Sequence, residues 1–292
     1  MTHRKAVWVL VAATLMWSIA GVVSRHLEAA RSFEVTFWRS GFNALALVVL
    51  LSWLRGPTAL WHTLRTGGRA LWVSGVCWSV MFTAFMVALT LTSVANVLVT
   101  MSIGPLLTAL MSRGVLGHRL HSRTWAAIAL AGVGIAWMYG HEVSAGDSRQ
   151  VLGMAVALCV PIAASINWTL LHHRQDSSGD MLPAVLVGAV LSALATLPLA
   201  LPLAASTQDL GLLALLGVVQ LAIPCLMAVA AARVLSAPEV SLLGLLEVVF
   251  GVAWAWLGAG EAPSSAVISG GLLVLAALAG NELLALRSGA RG

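Results

Sequence analysis

Ten long apolar segments recur along this chain, at about 6–24, 34–54, 70–90, 94–113, 124–140, 151–171, 182–203, 210–232, 239–259 and 265–286. Most run about 17–23 residues, the length an α-helix needs to cross a hydrocarbon layer about 30 Å thick. A membrane β-barrel would show alternating segments of about ten residues instead, and the sequence has none. Composition agrees: 60% hydrophobic residues, 9% charged residues and a mean hydropathy of +0.94 leave too little charge for a water-facing surface. The expected fold class is an all-α membrane protein with ten transmembrane helices. The first segment, with His3, Arg4 and Lys5 before it, imitates a secretory signal. It is long for one and carries Trp8 and Trp17, so it reads as a retained helix.

Charge then sets the topology. With the N-terminus placed in the cytoplasm, twelve basic residues fall in inner loops and ends. Only Arg25, Arg31 and Arg149 fall in outer loops, and Arg39 lies inside the second segment. Cytoplasmic loops collect Lys and Arg, so both termini are expected in the cytoplasm. The ten segments divide at loop 141–150 into a first half, 1–140, and a second, 151–292. Five crossings is an odd number, so the halves must run in opposite senses, as in the inverted repeats of secondary transporters.

Several chemistries drop out. The net charge of +5 comes from scattered single residues, with no basic patch for nucleic acid. Lys5 is the only lysine, which excludes a phosphate-binding Walker loop and lysine Schiff-base catalysis. Cys77, Cys159 and Cys225 are too scattered for a disulfide or zinc pattern and read as small packed hydrophobes. All eight histidines sit in loops or at helix ends, away from any intramembrane serine or metal site. No cofactor is called for.

Glu247 is the leading candidate site residue. Its helix opens at Ser236-Ala237-Pro238-Glu239, a capping-box pattern with an early proline. At 1.5 Å per residue the carboxylate lies about 12 Å from that start and about 18 Å from the Leu257-Gly258 end. An ionisable group at such depth is costly and marks a functional site by default. It could carry a proton or offset a substrate ammonium; the bland reading is a protonated bond between helices. Arg39, about 7.5 Å into its helix, could snorkel outward, form a structural ion pair or hold a carboxylate. The amides Asn43, Asn96, Asn167 and Gln220 could line a polar cavity or bridge helices. Trp17, Trp78, Trp254 and Trp256 lie deep, whereas Trp8, Trp53, Trp72, Trp125 and Trp137 sit near segment ends as interfacial anchors. Pro105, Pro161, Pro198 and Pro224 invite kinks, and Glu261 is expected to fix the last hairpin. The substrate-binding set is therefore Arg39, Glu247, Trp17, Trp78, Asn43, Asn96 and Trp254.

Phe37-Trp38-Arg39, the run Ala88 to Asn96, Gly104-Pro105-Leu106 with Gly117, and above all Ala231 to Gly271 carry a family likeness. Over nearly its whole length the chain resembles the ten-helix EamA-type permeases of the drug/metabolite transporter superfamily. His118 departs from the glutamate often found after that first-repeat glycine. The resemblance implies two inverted five-helix repeats around a central cavity, alternating access, and a place in a bacterial inner membrane. Its second half looks most like amino-acid and metabolite exporters, aromatic amino-acid exporters among them. The expected partners are a lipid bilayer, a small metabolite and protons, with no nucleic acid and a monomeric or weakly dimeric state. Export of drugs or nucleotide-linked sugars, a membrane enzyme and a non-transporting partner subunit are the alternatives.

Overall fold

The computed structural model describes residues 1–30, 32–116, 122, 125–127, 129–130, 132–134, 136–137, 147–173, 180–235 and 237–289. Among them every regular element is helical. The first span is α1 (His3–Trp17) and α2 (Ala20–Ser24); the second is α3 (Ser32–Arg55), followed by a short α4 (Pro57–Thr66). Next come α5 (Arg69–Leu91), then α6 (Val94–Met101) with α7 (Gly104–Leu116), and α8 (Ser148–Ala157) with α9 (Cys159–His173). After α10 (Pro183–Ala200), α11 (Thr207–Leu215) passes through a π-helical turn, Leu216–Ala222, into α12 (Ile223–Ala231). The last two helices are α13 (Ala237–Ala259) and α14 (Ser265–Gly289).

Eight of the ten expected spans are long and apolar enough to cross a membrane. The fifth and tenth segments contribute the shorter apolar helices Trp125–Gly134 and Ser265–Ala277 among the described residues. One expected loop is a helix instead: α4 starts on Pro57 at its first turn after Gly56, which takes φ +83° to turn the chain out of α3. The expected cap residue Ser236 and the residue His118 lie outside the described residues.

Prolines explain three of the four interrupted spans. Pro105, Pro161 and Pro224 lack the N–H that would bond back four residues, to Met101, Ala157 and Gln220. Those are the last residue of α6, the last residue of α8 and a member of the π turn. Pro198, two residues before the end of α10, leaves its helix unbroken. Capping restarts the chain elsewhere. The Ser93 hydroxyl accepts from Asn96 N at 3.1 Å, and Ser206 with Asp209 forms a full capping box.

The two ends of the bundle are held differently. At the end where Ser24, Leu91 and Ala259 terminate their helices, carboxylates grip other loops' backbone. Asp209 accepts from Glu28, Ala29 and Ala30 N–H at 2.8–2.9 Å, and Glu34 from Ala204 and Ala205 at 2.8 Å. Glu261 does more than brace its own hairpin. It accepts from Val94 N and Arg25 Nη2, each at 3.1 Å, while Arg25 donates onward to the Leu89 and Thr92 carbonyls. At the opposite end, where the chain starts, the links are exposed ion pairs: His3–Glu239 at 2.9 Å, and Arg55 and Arg233 both on Asp180, at 3.5 and 2.8 Å.

Glycines set the tightest packing. A methyl group at Gly188 of α10 would run into Trp78 Cβ and lie 2.9 Å from the Gly75 carbonyl oxygen on α5. Close backbone approach of this kind is how small residues bind helices together in lipid, where burial alone gives little drive. Gly188→Val should lower stability by about 1–3 kcal/mol through overpacking, read as a drop in melting temperature of the detergent-purified protein.

Candidate functional site

A cavity of about 140 Å³ lies where the broken spans converge. Trp17 ends α1, Ser102, Gly104 and Pro105 lie at the α6–α7 break, Pro161 follows the α8–α9 break, and Gln220 sits on the π turn; all of them line it. Helix interruptions buried inside protein are where a membrane fold can expose backbone polar groups without losing them to lipid. The lining reaches toward the chain-start end as far as Val240, in the first turn of α13, and stops at Val248, about 16 Å short of Ala259. The Arg25–Glu261 clasp lies beyond that limit.

Arg39 and Glu247 both face this space. Arg39 does not snorkel. It is 2% exposed, with Nε and Nη2 donating to Gln220 Oε1 at 3.1 and 2.8 Å and its guanidinium carbon 5.6 Å from the Phe85 ring centre. Gln220 passes the connection on, donating from Nε2 to the Trp17 carbonyl at 3.1 Å. This reach depends on Gly217. A methyl there would come within 2.6 Å of Phe42 Cβ, 2.7 Å of the Arg39 carbonyl oxygen and 2.8 Å of Asn43 N. Only glycine lets the π turn press against α3 directly behind the arginine.

Glu247 is different: among the described residues none hydrogen-bonds or ion-pairs with its carboxylate. Arg39 and Glu247 line the same cavity without forming an ion pair. The space between them is walled by aromatics. Trp78 packs edge-on against Trp168, ring centres 5.6 Å apart at 89°, and lies tilted by 33° against Phe82 at 5.5 Å. The Trp78 ring N–H is buried yet donates to no group among the described residues. A cation, an unpaired carboxylate, a spare donor and an apolar wall together can hold a small zwitterion with an apolar side chain.

Four of the seven expected site residues meet here: Arg39, Glu247, Trp17 and Trp78. Asn43, Asn96 and Trp254 do not. Asn43, one turn beyond Arg39, is fully buried under the approaching π turn, and its amide has no partner among the described residues. Asn96 is drawn into the capped start of α6, donating to Thr92 Oγ1 at 2.9 Å and Gln150 Oε1 at 3.2 Å. Trp254 is turned outward because Gly251, Ala255 and Gly258 form the packed face at that level, Gly251 against Leu98 and Gly258 against Val22. Trp168 lines the cavity as well, outside the expected set. Its signal was spacing: Pro161, Ala164 and Trp168 share one helical face.

The EamA-like transporter family matches residues 4–140 and, a second time, residues 151–281. The chain belongs to the EamA-like transporter family. A solved crystal structure covers 98% of this chain and 99% of its own at 21% identity and a TM-score of 0.67, which shows a shared fold. No curated protein matches it. Membership makes the chain a multi-pass membrane transporter acting on small molecules. The EamA chain also breaks one expectation about packing, since Cys159 is exposed while Cys77 and Cys225 are buried.

The arginine–glutamine bridge generates a stability prediction. Gln220→Leu leaves a buried guanidinium short of its acceptor and should cost about 2–3 kcal/mol. Gln220→Glu restores an acceptor for Arg39 but no donor for the Trp17 carbonyl, and should recover only part of the melting temperature in detergent.

Proposed function

We propose that this EamA chain exports amino acids or closely related small metabolites, as a secondary-active or facilitative carrier working by alternating access. The observation that carries this reading is the cavity itself. Arg39 and the unpaired Glu247 face one space walled by Trp17, Trp78, Trp168 and Phe82, at the breaks of four spans. Arg39 holds the substrate carboxylate through its free N–H groups, because a planar fork meets a carboxylate with paired bonds. Glu247 offsets the substrate ammonium or carries a coupled proton. The apolar side chain lies against the tryptophans.

Two matches to one family, over 4–140 and 151–281, support two repeats of five helices each; an odd count per repeat makes them inverted. The basic residues near the chain-start end support cytoplasmic termini in a bacterial inner membrane. On that placement the cavity extends toward the cytoplasm, and the Arg25–Glu261 clasp closes the outer side.

The test is counterflow of labelled amino acids, nucleotide sugars and cationic drugs in proteoliposomes holding the purified chain. An apolar or aromatic amino acid should exchange. Arg39→Lys should weaken its half-saturation about ten- to hundredfold, the loss of a charge-assisted pair. Glu247→Gln should lower exchange and remove its dependence on pH. Wild-type rates with the wild-type dependence on pH in Glu247→Gln, or exchange of anionic sugars alone, would overturn the assignment.

A further inference from the structure

From Val35 to His141 the chain holds no acidic residue, yet it carries seven arginines. Three of these, Arg55, Arg65 and Arg69, bracket α4 at the junction of α3 and α5. Because α3 and α5 are consecutive spans running in opposite directions, the helix joining them lies at the edge of the membrane rather than within it. Its inner face is tied down: Leu60 is buried, and Leu64 packs on the main core. Its outer face shows Thr58, Trp61, His62, Arg65 and Thr66.

Each arginine has an exposed tryptophan close by. Trp53 precedes Arg55 by two residues and is 81% exposed; Trp61 precedes Arg65 by four and is 56% exposed; Trp72 follows Arg69 by three and is 49% exposed. The Arg65 guanidinium lies 4.6 Å over the Trp61 ring centre, which stiffens it and leaves its N–H edges pointing elsewhere. Among the described residues neither Arg65 nor Arg69 has a carboxylate partner. Arg55 shares Asp180 with Arg233, so one carboxylate serves two cations. Indole rings settle at the level where acyl chains meet headgroups, and arginine beside them reaches phosphate. A protein partner would need an apolar anchor surface, and beyond Trp61 the outward positions of α4 are small, polar or cationic.

We propose that α4 with Arg55 and Arg69 is a docking site for anionic phospholipid headgroups. Arg65, held by Trp61, and Arg69 take the phosphodiester; Trp53, Trp61 and Trp72 lie along the acyl boundary. The site is separate from the transport cavity, none of whose lining residues it uses. Anionic headgroups on the cytoplasmic leaflet would meet it in the orientation proposed above, but the test does not depend on orientation.

The experiment uses the full chain, delipidated in detergent and titrated with phosphatidylglycerol, phosphatidylcholine or free glycerol phosphate. Melting temperature and lipid retention in native mass spectrometry are read together. Phosphatidylglycerol should raise the melting temperature roughly twice as much as phosphatidylcholine, by linkage to binding of the folded state. It should also persist on the ionised protein. Arg65→Gln with Arg69→Gln should erase the difference, Arg65→Lys with Arg69→Lys should keep part of it, and Arg4→Gln with Lys5→Gln should leave it intact. Retention of the difference in the Arg65/Arg69 glutamine variant would overturn the site. So would its equal loss in the Arg4/Lys5 variant, which would reduce the effect to net charge. Equal stabilisation by glycerol phosphate would make it a soluble-anion site and overturn the lipid assignment, and binding that appears only with an added soluble protein would assign the face to a protein instead.

Discussion

A guanidinium buried in a membrane fold must find its hydrogen-bond acceptors inside the protein. In this chain one amide oxygen supplies most of that need. Gln220 Oε1 takes two N–H groups of Arg39, and the same amide's nitrogen donates to the Trp17 carbonyl that the end of α1 leaves open. Three elements are thereby joined at one side chain: α3, the π turn and the break in the first span. Remove the glutamine and both ends of the chain of bonds are stranded. Remove Gly217 and the π turn cannot come close enough to make it. The Phe82 carbonyl takes a longer bond from Nη1 at 3.5 Å, and Arg39 still lines the cavity.

The breaks that surround the cavity have a common chemical origin. A proline removes one backbone donor, and the carbonyl four residues earlier loses its partner. In lipid that loss would be severe, so such a residue is tolerated only where neighbouring helices close around it. Pro105, Pro161 and Pro224 all sit on cavity-lining stretches, whereas Pro198 near a helix end changes nothing. A soluble protein would let water satisfy the freed carbonyls. Here the breaks border one largely apolar cavity, and Arg39 and Glu247 face the same space.

Much of this was legible in the sequence because the membrane simplifies the code. Segment length, the depth of Glu247 and the isolation of Arg39 all follow from rise per residue and hydropathy. Neither Asn43 nor Trp254 could be placed the same way. Each shares a helical face with a cavity-lining residue, Asn43 with Arg39 and Trp254 with Glu247, so periodicity alone groups them. What separates them is a neighbour from far along the chain: Gly217 covers Asn43, and the Gly251–Gly258 face turns Trp254 away. Asn96 was lost to a capping network that includes Gln150, 54 residues on. α4 was read as a loop because its ten residues are too short and too polar for a span, although Pro57, Leu60 and Leu64 already spelled an amphipathic turn.

The unequal ends of the bundle bear on how a carrier of this shape would cycle. Exposed ion pairs such as Arg55–Asp180 contribute about 0–1 kcal/mol each, so the chain-start end separates at little cost. Opening the other end means releasing Glu261 from Val94 N and Arg25, and Arg25 from two carbonyls. The direct Arg25–Glu261 pair is itself partly exposed and adds little. The hold at this end comes from carboxylate bonds to backbone, of Glu261 to Val94, of Asp209 to Glu28, Ala29 and Ala30, and of Glu34 to Ala204 and Ala205, which must go together. A substrate can shift such an equilibrium only by binding one state more tightly than the other. Under the proposed function, a cargo that bridges Arg39 and Glu247 would have to bind more tightly once the chain-start side has closed around it. That requirement favours a ligand with two opposite charges over one with a single charge, because only the former can draw both walls of the cavity inward at once.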